Sequence, residues 1–158
     1  MNLHPFKPVQ PGDTIGIVSP ASHYKPEKLE RGVQYLKNRG YKVEFAPHYD
    51  GYHKYLTGTG KEQVEDIHWA FGNPQIDAII CTRGGYGTPR YLDQLDYKLI
   101  RANPKVLVGY SDITALQCAL MTQANLMTIS GAMVAVEMGD EKGIDPYTEA
   151  HLWPLLEE

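Results

Sequence analysis

The sequence predicts an α/β protein with a doubly wound, mostly parallel sheet and helices on both faces, flavodoxin-like or Rossmann-like in kind. Three observations point there. Short, nearly continuous apolar runs recur at residues 14–18, 77–82 and 105–109, as expected of strands buried on both faces. Stretches with helical spacing separate them. Two of the runs end in glycine-bearing turns that lead into helix starts, the strand–loop–helix order of a parallel sheet.

The elements follow in order. Residues 14–18 form the first strand. Pro26 suits the first position of a helix that carries Leu29, Val33 and Leu36 on one face and stops at Gly40. Residues 41–46 read as a second strand, with Val43 and Phe45 alternating against Lys42 and Glu44. Residues 50–60 are a polar loop rich in glycine and tyrosine, whose rings either meet a ligand or belong to a solvated Ω-type loop. Thr59 and Glu62 have capping-box spacing for a helix over 61–71, which turns Val64, Ile67 and Phe71 inward until Gly72-Asn73-Pro74 ends it. After the strand from Asp77, Thr88 as N-cap and Pro89 behind it predict a helix to about Leu95. A strand from Lys105 and a helix after Ser111 come next, with Leu116 and Leu120 facing inward, and residues 127–129 make a last short strand. Right-handed crossovers place the loops after the parallel strands on one edge of the sheet.

Composition narrows the function. A chain of 158 residues is long enough for one real core, and 42% hydrophobic with 22% charged residues is ordinary for a soluble globular protein. A net charge of −4 with no basic stripe argues against nucleic acid as a partner. No apolar segment is long enough to span a bilayer, and residues 1–6 carry no apolar leader-like run, so no membrane association is expected. Cys81 and Cys118 lie far apart without a Cys-x-x-Cys pair, which reads as reduced core thiols in a cytoplasmic protein.

Two strand ends carry candidate chemistry. Residues 106–116 read as a buried strand, a tight turn at Gly109, then a helix, with Ser111 at the corner. A serine nucleophile needs an accessible hydroxyl and donors for the oxyanion formed when a carbonyl is attacked, and such a corner offers both. Serine is also a favoured helix N-cap, and Asp112 suits the positive end of a helix, so Ser111 reads as nucleophile or as cap. Ile113 stands where a G-x-S-x-G elbow has its second glycine. At the other strand end lies Arg83-Gly84-Gly85-Tyr86-Gly87, either a ligand-facing loop or a turn that needs glycine for its backbone angles. A phosphate loop is the weaker alternative, because no Gly-Lys-Ser/Thr follows and the third glycine of the dinucleotide fingerprint is missing.

Together these stretches resemble the LD-carboxypeptidase (muramoyltetrapeptide carboxypeptidase) family of serine peptidases. The resemblance rests on Gly12-Asp13-Thr14-Ile15-Gly16-Ile17-Val18-Ser19-Pro20-Ala21-Ser22, on Tyr55-Leu56-Thr57-Gly58-Thr59, on residues 77–87 running into 91–97, and on 100–105 leading into Gly109-Tyr110-Ser111-Asp112. It covers the family's amino-terminal domain over nearly the whole chain. It implies that Ser111 is the nucleophile and that the N–H groups of Asp112 and Gly85 form the oxyanion hole. It further implies that Arg83, Gly84 and Tyr86 lie against a murein tetrapeptide whose terminal D-alanine is released during cell-wall recycling in the cytoplasm. Arg83 or Arg90 would hold the terminal carboxylate.

In the family, the general-base His and the Glu that orients it come from a carboxyl-terminal domain. Residues 1–145 are therefore expected to be the nucleophile-bearing domain and 146–158 the start of a link to a second domain that this chain lacks, the complete protein being a homodimer. Ser130-Gly131-Ala132-Met133 departs from the His-Gly-Pro-Met of many members. Six histidines are present: His4, His23, His48, His53, His68 and His151. His68 is expected on a helix near its apolar face and His23 in a loop on the active edge, and no motif assigns any of them the base role. His48 and His53 lack metal-ligand spacing, and no metal or cofactor is expected. Two other readings remain: a relative of the microcin C immunity peptidases, which cleave a peptidyl-nucleotide, and a non-catalytic module binding a peptide or sugar phosphate.

Overall fold

The computed structural model describes residues 3–158. Five strands, β1 (Thr14–Val18), β2 (Lys42–Phe45), β3 (Ala78–Cys81), β4 (Val106–Gly109) and β5 (Ile129–Ser130), form one all-parallel sheet in the order β2-β1-β3-β4-β5. This is the expected doubly wound class, in its flavodoxin-like strand order. Strand order reverses between β1 and β3, so the crevice where such folds bind ligands lies at the carboxyl ends of these two strands.

Alternation along the strands builds two cores. Ile15 and Ile17 of β1, Ala78 and Ile80 of β3, and Val106 and Val108 of β4 face one side, packed with α1 (Pro26–Asn38) and α5 (Pro146–Glu157). Val18, Ile79, Cys81 and Leu107 face the other, under α2 (Gly60–Gly72), α3 (Tyr97–Ala102) and α4 (Ile113–Ala124). Burial pushes the Cys81 thiol well above its ordinary range, as an inert core thiol requires. Cys118, expected in the core, is exposed, because it sits on the outer face of α4.

The capping box of α2 forms as expected: the Thr59 hydroxyl accepts from the Glu62 N–H, and the Glu62 carboxylate accepts from the Thr59 N–H at 2.6 Å. The helix expected from Pro89 to Leu95 is replaced by two single 3-10 turns, Thr88–Arg90 and Leu92–Gln94. Tyr91 separates them at φ −132°, because its ring is fully buried and its hydroxyl donates to the Pro20 carbonyl at 2.8 Å. A helix was not expected at α3, which Asp96 caps by accepting from the N–H groups of Lys98 and Leu99. The last strand is Ile129–Ser130, offset from the expected 127–129.

Within residues 146–158, expected to begin a link, Pro146–Glu157 fold as α5 against the sheet. Its Leu152, Trp153 and Leu156 are buried. The Trp153 ring stacks on Tyr41 at 5.2 Å, the Arg39 guanidinium lies 4.2 Å from its centroid, and its indole N–H donates to Tyr35 Oη at 2.7 Å. Arg39 also pairs with Glu149 and Glu157, each at 3.2 Å.

Candidate active site

β4 delivers the chain to a corner. Ser111, two residues before α4, has φ +63°, a left-handed backbone that non-glycine residues rarely adopt. Its side chain is exposed, and its hydroxyl has no hydrogen-bond partner among the described residues. The capping alternative does not describe this serine. An N-cap residue has extended backbone, whereas the cap position of α4 is filled by Asp112 in the right-handed region with no side-chain cap bond.

The Asp112 carboxylate is engaged elsewhere. It accepts from the Thr88 N–H at 3.0 Å, while Thr88 Oγ1 lies 2.6 Å from the Asp112 carbonyl oxygen and 3.0 Å from Oδ2. Thr88, expected to cap a helix, instead clamps the 83–88 loop to the corner. Gly84 sits in the join: a Cβ there would lie 3.1 Å from Ser111 Cβ, 3.2 Å from the Tyr110 carbonyl oxygen and 3.4 Å from Asp112 N. Gly85 has φ +121°, and a Cβ there would lie 2.3 Å from Ser22 Oγ, so both conformation and space demand glycine. Among the described residues, the N–H groups of Gly84, Gly85 and Asp112 donate to no protein acceptor. An exposed hydroxyl on a strained turn, beside free backbone donors from two strand ends, is an arrangement suited to carbonyl attack.

Residues 15–131 match the family described as LD-carboxypeptidase N-terminal domain. The chain belongs to that family. Among its relatives is a probable murein peptide carboxypeptidase of Bacillus subtilis (strain 168), 35% identical over 158 residues, all of this chain and 49% of the relative. A solved MccF-like protein from Bacillus anthracis str. Ames superposes with a TM-score of 0.92 at 35% identity, covering 97% of this chain and 47% of that one. Muramoyltetrapeptide carboxypeptidase from Oxalobacter formigenes gives a TM-score of 0.80 at 29% identity over 88% of this chain and 46% of that one. The chain thus spans about half the length of the relatives it matches.

Within this LD-carboxypeptidase domain the other expected residues are spread unevenly. Tyr86 is exposed beside Gly85, its N–H donating to Ser22 Oγ at 3.2 Å. Arg83 is exposed and reaches the His23 carbonyl at 3.5 Å; with Lys25 and Lys28 it lines a cleft of about 270 Å³. Arg90 ends the first 3-10 turn and is exposed. None of the histidines is bonded to Ser111. His68 accepts from the Asp96 N–H at 2.8 Å, His48 pairs with buried Asp66 at 2.9 Å, and His151 bonds the Tyr147 carbonyl. His23 stacks on Tyr52. His53 pairs through its backbone with Leu56, and the His4 N–H donates to the Asn125 carbonyl. Among the described residues no cluster of His, Cys, Asp or Glu has the make-up of a metal site.

Two neighbours escaped sequence reasoning. Glu137 accepts from the Tyr110 hydroxyl at 2.5 Å and from the Met133 N–H at 2.9 Å, anchoring the residue before Ser111. Burial first, then this bond, pushes the Tyr110 phenol up to about 12. Tyr110 and Glu137 line a cleft of about 300 Å³ with residues 130–132 and Thr148. Ser22 braces the glycine loop, accepting from Tyr86 and donating its own N–H to the Gly84 carbonyl at 3.4 Å. Its place was legible in principle, since it lies four residues beyond β1, which neighbours β3.

Proposed function

We propose that this chain is the nucleophile-bearing half of a serine LD-carboxypeptidase that releases the terminal D-alanine of murein tetrapeptides in the cytoplasm. The observation that carries the reading is Ser111: a left-handed residue, exposed and with an unpartnered hydroxyl, on a corner that also carries N–H groups with no protein acceptor among the described residues. Ser111 Oγ attacks the carbonyl carbon of the residue before the terminal D-alanine, and its proton passes to a general-base His. The N–H groups of Asp112 and Gly85 receive the oxyanion, which collapses to an acyl-enzyme as the protonated His gives its proton to the departing amine. Water then attacks the ester, with the same His as base, and regenerates Ser111. The His and its orienting Glu belong to a carboxyl-terminal domain in a homodimeric complete protein. Arg83, backed by Lys25 and Lys28, supplies positive charge for the substrate carboxylate.

A fluorophosphonate probe tests this in the complete protein. It should modify Ser111 and abolish D-alanine release, and Ser111→Ala should lose both; a protein that releases D-alanine yet retains it in Ser111→Ala would sink the assignment. A module that only binds peptide would show reversible occupancy and no labelling. The 158 residues alone should hydrolyse tetrapeptide barely above background, because the base is absent. A second reading, a microcin immunity-type peptidase acting on a peptidyl-nucleotide, has backbone likeness in its favour: Microcin C7 self immunity protein MccF superposes with a TM-score of 0.92, against 0.80 for the muramoyltetrapeptide carboxypeptidase. Competition between a murein tetrapeptide and a peptidyl-nucleotide for the complete protein separates the two.

A further inference from the structure

Asp112 carries a carboxylate one residue after Ser111. At the start of a helix such a group ordinarily accepts from the first free N–H groups, which makes aspartate a favoured N-cap. The Asp112 side chain does not cap α4. Main-chain oxygens serve the first N–H groups of that helix instead: Ile113 donates to the Tyr110 carbonyl at 3.3 Å, Thr114 to that of Ser111 at 3.0 Å and Ala115 to that of Asp112 at 3.2 Å. The free N–H groups of Gly84, Gly85 and Asp112 are likewise left unoccupied among the described residues.

Thr88 accounts for this. It is fully buried, its N–H donates to Asp112 Oδ2 at 3.0 Å, and its hydroxyl lies 2.6 Å from the Asp112 carbonyl oxygen and 3.0 Å from the same Oδ2. One residue thus grips both the side chain and the main chain of Asp112. Its place in the chain ties that grip to the corner. Thr88 closes the loop whose Gly84 would set a Cβ 3.1 Å from Ser111 Cβ and 3.4 Å from Asp112 N.

Donors that stabilise an oxyanion bind a carboxylate too, since both are oxygen anions. Released from Thr88, the Asp112 carboxylate would be drawn to the free N–H groups of its own corner. It would fill the donors and set a negative charge beside the one that develops in the transition state. We propose that Thr88 is a positioning residue for the hydrolysis: it keeps the Asp112 carboxylate out of the oxyanion hole and fixes the residue that supplies one of its donors. This rests on the proposed peptidase function. Being buried, Thr88 acts through Asp112 rather than on substrate.

The test is steady-state release of D-alanine from a murein tetrapeptide by the complete protein and its variants, with melting temperatures recorded beside it. Thr88→Val keeps the size and the N–H but removes the hydroxyl. It should lower kcat about tenfold and leave KM within about twofold, short of the roughly hundredfold loss that follows outright removal of a donor. Thr88→Ser should restore kcat, and Thr88→Ala repeats the comparison should Thr88→Val fail to fold. Adding Asp112→Asn to Thr88→Val should recover several-fold of the loss, because the competing charge is gone; a merely structural hydroxyl predicts a second fault on top of the first. In the 158-residue chain, the amide proton resonances of Gly84, Gly85 and Asp112 report without turnover. At least one should move downfield in Thr88→Val as the carboxylate takes it, and return with Asp112→Asn. Parent-like kcat in Thr88→Val, a loss that Asp112→Asn deepens, or unmoved amide resonances would each overturn the inference. If the parent itself releases no D-alanine, the peptidase reading has failed; if the parent is active and Thr88→Val matches it, only the role of Thr88 has.

Discussion

Replacing Ser111 by glycine should make the protein more stable than replacing it by alanine. At most positions the reverse holds, because glycine is more flexible in the unfolded chain and lowers stability by about 0.5–1 kcal/mol relative to alanine. Ser111 sits at φ +63°, where any residue with a Cβ suffers a clash worth about 1–2 kcal/mol and glycine does not. Its hydroxyl is exposed and unpartnered, so its removal carries no hydrogen-bond cost that would obscure the comparison. The difference is a gain of roughly 0.5–1 kcal/mol for Ser111→Gly over Ser111→Ala, or about 1–4 °C in melting temperature for a chain of this size. Thermal and urea unfolding of the two variants beside the parent decide it. If Ser111→Gly falls below Ser111→Ala by the ordinary glycine penalty, the corner stores no strain and the elbow reading loses its physical basis.

Two further perturbations test the frame around the site. Trp153→Ala should cost about 3–5 kcal/mol, read as a lower urea midpoint, because it empties a buried aromatic site and strips Arg39 and Tyr35 of a partner; a loss under 1 kcal/mol would mean that α5 is only loosely docked. Alkali should destabilise the fold in a defined window. Burial, aided by carboxylate partners, holds the phenols of Tyr35 and Tyr110 at about 12, so the folded state keeps protons that the unfolded chain releases from pH 10 upward. The stability they contribute is intact below pH 10 and is lost as pH rises through about 12. Tyr110→Phe should flatten part of that slope, and an unchanged slope would contradict the cause given for the shift.

Much of the frame was legible because its signals are local. The apolar runs of β1, β3 and β4 need no tertiary information, and the Thr59–Glu62 box is written within four residues. The turns around Tyr91 were not legible, since a buried ring bonded to Pro20 overrides the helix start that Thr88 and Pro89 advertise. α3 is too short for its periodicity to stand out. At the candidate site, strand, turn and helix around Ser111 could be read directly, but nucleophile and cap share the same residue types, and only the backbone angle separates them. Glu137 acts through a return of the chain to Tyr110 that no nearby residue signals.

The parallel register has a consequence for how the reactive corner comes into being. Ile15 pairs with Ala78, and Ala78 with Val106, so the middle of the sheet joins stretches distant along the chain. Such pairings form late in folding, because long loops must close before any contact rewards them. The left-handed turn at Ser111 is unfavourable by itself and is upheld by the Gly84 contact and the Thr88–Asp112 bonds, both of which need β3 and β4 already side by side. A nascent or half-folded chain therefore carries an ordinary serine at this position, and the poised hydroxyl appears only once the sheet has closed around it.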